Sequence, residues 1–83
     1  MIVIPVVGTK VTMVVRGYFG NHVTVKGVIA REPRHHGYIK NGSWALTGGE
    51  GWSPCYKFGL KEYRKRIPII MRMDEIISID EGW

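Results

Sequence analysis

The side chains able to hold a metal or move a proton are few in this chain and poorly spaced for either task. His22, His35, His36 and Cys55 are its soft or borderline ligands. A structural zinc site takes two close ligand pairs, as in C-x2-C with H-x3-H. Here the one close pair is His35-His36, and adjacent side chains on an extended backbone diverge. The pattern predicts no metal and no other cofactor, and His35 and His36 read as exposed loop residues.

Catalysis fares no better. Cys55 with a distant histidine would imitate a nucleophile and its base, but no helix N-terminus or local signature stands beside it. A lone cysteine in a β-rich stretch reads as a small core residue. Asp74-Glu75 and Asp80-Glu81 are neighbours in an acidic terminal segment, where capping and solubility account for them. Gly48-Gly49-Glu50-Gly51 lacks the Lys-Ser/Thr of a phosphate-binding loop, and no helix follows it. No catalytic residue is assigned, and the chain is not expected to be an enzyme.

Binding chemistry is better supplied. The 83 residues carry a net charge of +5, unevenly spread: +9 over residues 1–72 and −4 over residues 73–83. A basic body with an acidic end suggests an anionic partner, with the tail held away from it. Phosphate contact needs Lys and Arg on one accessible surface, and contact with unpaired bases needs exposed aromatics. Residues 56–66, from Tyr56 to Arg66, supply both. Lys57, Lys61, Arg64, Lys65 and Arg66 are the candidate contacts with DNA or RNA, flanked by Arg31 and Arg34. On a helical turn Lys61, Arg64 and Lys65 would share a face. Tyr56, Phe58 and Trp44 read more simply as core, because a thin domain needs its large aromatics inside.

A protein partner is the alternative. Trp52 in the glycine-rich loop Gly48–Ser53 and Trp83 beside Gly82 are the candidate contacts, since Trp and Arg dominate interface hot spots. Trp83 either docks on another chain or packs back onto its own domain. Exposed strand edges would also allow a homodimer.

The elements that must position these residues are strands. Ile2–Val15 is rich in Val and Ile, broken by Gly8-Thr9 into a short lead strand and the run Lys10–Val15. In that run Val11, Met13 and Val15 fall on one face. A loop over Arg16–Asn21 leads to a strand from His22 to Arg31, with Gly27 marking a bend, bulge or close approach. Glu32–Gly37 should open a polar loop. Asn41-Gly42 between β-prone runs (Tyr38–Lys40 and Ser43–Thr47) is a hairpin signal. Cys55–Phe58 is a further strand, and Leu60–Arg66 a helical turn that Pro68 stops. Ile67–Met73 is a strand whose proline belongs near its start or on an edge. A turn capped by Asp74 and a closing strand, Ile77–Asp80, complete the chain.

The expectation is one all-β domain over residues 1–83, a small barrel of about five to six strands with at most one short helical turn. The lone cysteine excludes an internal disulfide and points to a reducing, cytoplasmic setting. The apolar start, interrupted by Pro5 and ended by Gly8 and Lys10, is too short for a signal peptide or membrane span.

A strand, an aromatic loop with Tyr18 and Phe19, a strand bent at Gly27, a hairpin, and a short turn at Met73–Ile76 before the last strand resemble the SH3-like family of small barrels, with its Sm-like, Tudor and KOW-type modules. The stretch from Glu32 to Lys65 is longer and richer in glycine than such a barrel needs. An OB-type barrel, the rival, inserts a helix this chain lacks. The resemblance implies binding of nucleic acid, peptide or modified side chain without choosing among them. In size and style the chain is also similar to accessory proteins encoded by bacteriophages.

Overall fold

Alternation and β-branching build the first hairpin. The structure, a computed structural model, describes residues 2–83. β1 (Lys10–Arg16) buries Val11, Met13 and Val15 and pairs antiparallel with β2 (His22–Lys40), from Lys10 opposite Val28 to Arg16 opposite His22. Tyr18 and Phe19 stand fully exposed at the tip. Asn41 and Gly42, with φ of 50° and 80°, make the tight turn into β3 (Ser43–Ala45).

The remaining strands are β4 (Ser53–Glu62), β5 (Ile69–Arg72) and β6 (Ile76–Glu81), with a single 3-10 turn at Met73–Glu75. The fold is all-β. Its antiparallel sheet runs β5-β4-β2-β1-β6, and β3 pairs with the far end of β2. Pro68 sits immediately before the edge strand β5, where its missing N–H breaks no ladder. The core is Val11, Met13, Val15, Ile29, Phe58, Leu60, Met71 and Ile76, with Ile2 and Ile4 packed against it. Each large side chain fully buried there contributes roughly 1.5–3 kcal/mol.

Four local expectations are corrected. Ile2–Val7 forms no strand; Gly8 donates its N–H to the Ile29 carbonyl, and the segment lies against the core instead. Glu32–Gly37 is not a loop, because β2 runs through it to Lys40, so His35 and His36 are strand residues. From Ile29 opposite Leu60 to Ile39 opposite Ser53, β2 advances ten residues while β4 advances seven. The excess is taken up at three bulges, which admit Pro33 and Gly37 without ending the strand.

Leu60–Arg66 is not a helical turn. Leu60 is fully buried between Ile29 and Ile69 in an extended ladder, and one helical turn could not repay the loss of those contacts. The chain reverses at residues 62–65 by a tight turn, the Lys65 N–H donating to the Glu62 carbonyl at 3.0 Å. Finally, Asp74 caps nothing: it accepts hydrogen bonds from Arg72, whose guanidinium it holds above the ordinary arginine range.

Candidate nucleic-acid interface

Residues directly opposite in a ladder point to the same side of the sheet. Three successive cross-sheet rows follow from the register. Lys10, Val28 and Lys61 form one; Arg31, Gly59 and Ile70 the next; Arg34, Lys57 and Arg72 the third. In a regular strand Val28, Arg31 and Arg34, three residues apart, would alternate faces. The bulges between Ile29 and Arg31 and between Arg31 and Arg34 each insert one residue and restore them to the same side. Lys10, Arg16, Lys26, Arg31, Arg34, Lys57, Lys61 and Arg72 thus fall on one side of β1, β2, β4 and β5, and Asp80 of β6, opposite Thr12, lies on that side too.

At the centre of this face a cleft of about 600 Å³ is lined by Arg31, Arg34, Lys57 and His36 with Val7 and Ile70. Arg31 is laid into it by Gly59: a Cβ at position 59 would stand 2.9 Å from both Cβ and Cγ of Arg31. Among the described residues one salt bridge occurs, between Arg72 and Asp74. Glu32 also lines the cleft, but no carboxylate lies within ion-pair distance of Arg31, Arg34 or Lys57. Three cations converge here with no ion pair among the described residues to neutralise them.

At the other end of the face the side chains become aromatic. Tyr63 and Trp83 meet edge to face, ring centroids 5.0 Å apart at 67°. The Trp83 indole N–H donates to the Gly27 carbonyl at 3.1 Å. Lys10 Nζ lies 4.8 Å from the centre of the Trp83 ring, and the Arg64 guanidinium carbon 5.2 Å from that of Tyr63.

The chain matches no protein-family model, no curated protein and no solved structure.

The residues singled out from sequence therefore separate into groups. Arg31, Arg34 and Lys57 share the cleft, and Lys61 continues their face. Arg64, at φ 66°, belongs to the aromatic end, while Lys65 and Arg66 follow in the β4–β5 connection. Lys61, Arg64 and Lys65 share no helical face. Trp52 is half-buried in the loop before β4, its backbone N–H donating to the Gly49 carbonyl. Trp83 packs back onto its own domain. Of the expected core aromatics only Phe58 is buried; Trp44 and Tyr56 are exposed, Trp44 donating to the His36 carbonyl at 2.6 Å. His35 packs edge-on against Tyr38 and Tyr56.

Lys10 was not among the candidates, and Tyr63 and Gly59 entered only as members of residues 56–66. Lys10 only opens a strand in sequence, and nothing local shows that it meets Trp83. The acidic end is built into the sheet by the closing strand expected over Ile77–Asp80: β6 pairs with β1 and brings Asp80 opposite Thr12. Among the described residues no helix is long and apolar enough to cross a membrane.

Proposed function

We propose that this protein is a non-enzymatic nucleic-acid-binding module whose phosphate-contacting surface is the β2–β4 face. The observation that carries the reading is the convergence of Arg31, Arg34 and Lys57 in one cleft with no carboxylate among the described residues paired to them. Lys10 and Lys61 extend the same face, so a polyanion meets cations along about 13 Å of β4, from Lys57 to Lys61. The strand order supports an SH3-like barrel. With β3 set aside, the last strand lies beside the first, and a 3-10 turn precedes it. The single, buried Cys55 fits action in the reducing cytoplasm.

Binding proceeds by phosphate neutralisation with counterion release, so affinity falls as salt rises. The test is titration of labelled single-stranded and duplex oligonucleotides at several salt concentrations. An Arg31→Ala/Arg34→Ala/Lys57→Ala variant should bind weakly and flatten the log K against log salt slope by about 2–3. Absence of binding at low salt, or a slope unchanged in the variant, overturns the reading. A protein partner is the second reading, favoured by one observation: Tyr18 and Phe19 are fully exposed at the β1–β2 tip.

A further inference from the structure

We infer that the ligand of this face is a single strand, and that the Tyr63–Trp83 pair is the platform on which one of its bases stacks. The inference rests on the nucleic-acid reading above and adds the form of the ligand and the position of a base site.

The cation rows define a direction. Along β4, Lys57, Gly59 and Lys61 point to one side; Lys10, in the same row as Lys61 through Val28, reaches Trp83, and Tyr63 meets Trp83 from the turn that follows β4. A backbone laid over Lys57, Arg31 and Lys61 therefore arrives at the aromatic pair. Tyr63 is 51% exposed and Trp83 49%, far more than core aromatics would be. The pair has four ring faces. The edge-to-face contact uses one, and Lys10 and Arg64 each use one more. About half of each residue's surface remains exposed beside these contacts, where a planar ligand can reach the rings.

The platform is also held in place. The bond from the Trp83 indole to the Gly27 carbonyl fixes the ring, and the Tyr63 N–H donates to the Lys26 carbonyl at 2.8 Å. A base that stacks here loses little entropy in ordering the protein. Lys10 and Arg64 stand beside the rings, placed to meet the phosphates that flank a stacked base. A duplex has its bases stacked on one another and offers this pair only its backbone. A single strand offers both phosphate and base.

The experiment compares a labelled oligothymidine with a duplex of equal length, using wild type, Tyr63→Ala, Trp83→Ala and Trp83→Phe. Tyr63 lies exposed in a turn, so its truncation leaves the fold intact even if loss of Trp83 does not. Wild type should prefer the single strand. Tyr63→Ala and Trp83→Ala should each lose about 5- to 150-fold in single-strand affinity. Their salt slope should stay that of wild type, because no cation is removed. Trp83→Phe should keep most of the affinity. Equal affinity for the duplex, or an unchanged single-strand affinity in Tyr63→Ala, overturns the inference while leaving the nucleic-acid reading standing. Failure of every oligonucleotide to bind wild type at low salt removes both.

Discussion

Arg31 lies across Gly59 so closely that a methyl group at position 59 would stand 2.9 Å from two carbons of the arginine stem. The absence of a side chain on β4 thereby sets the path of a cation on β2. Gly59→Ala should push Arg31 out of the cleft and weaken oligonucleotide binding, while costing about 1–3 kcal/mol of stability. Gly27→Ala should cost more, because its Cβ would meet the main-chain carbonyl of Lys61 at 2.5 Å, which cannot rotate away. Urea or thermal unfolding of the two variants, with binding measured on Gly59→Ala, checks the order.

Burial separates the apolar residues that hold the fold from those that do not. Leu60 is fully buried between Ile29 and Ile69, so Leu60→Ala should destabilise the domain by about 2–5 kcal/mol. That is a large part of the total stability expected for a chain of this size. Tyr18→Ser with Phe19→Ser, at the exposed hairpin tip, should stay within about 0.5 kcal/mol of wild type per residue. A calorimetric melt distinguishes the two classes; equal losses would contradict this division.

Cys55 is a free thiol buried in β4. Its reaction with a bulky thiol reagent should need opening of the strand and run slowly in the native protein. In denaturant the rate should rise by orders of magnitude, and in Leu60→Ala its logarithm should rise in proportion to the lost stability. A time course of thiol titration measures all three. Rapid, denaturant-independent labelling would show that this part of β4 is not held closed.

Much of the architecture was legible in short-range pattern. Period-two alternation in Val11, Met13 and Val15 identified β1 and its buried face, because the pleat repeats every two residues whatever the rest of the chain does. Asn41-Gly42 declared its turn, since few other residues adopt two successive positive φ values cheaply. Pro68 pointed to a strand start or an edge, and it stands just before the edge strand β5. Of the candidate site, Arg31, Arg34, Lys57 and Lys61 were singled out by charge alone.

What could not be read was which of these residues share a face. Arg31 and Arg34 stand three apart, a spacing that alternation assigns to opposite sides of a strand. Only the bulges against β4 reunite them, and bulges depend on a partner strand more than twenty residues away. The same limit hid the contact of Lys10 and Gly27 with Trp83, which local periodicity carries no trace of. It also made a helical turn of Leu60–Arg66, where the apolar side chain of Leu60 was claimed by a distant ladder. Propensity and periodicity act over a few residues and set which segments become strands. Register, bulges and the meeting of remote side chains arise when strands pair across the chain, and those pairings turned scattered cations into one surface.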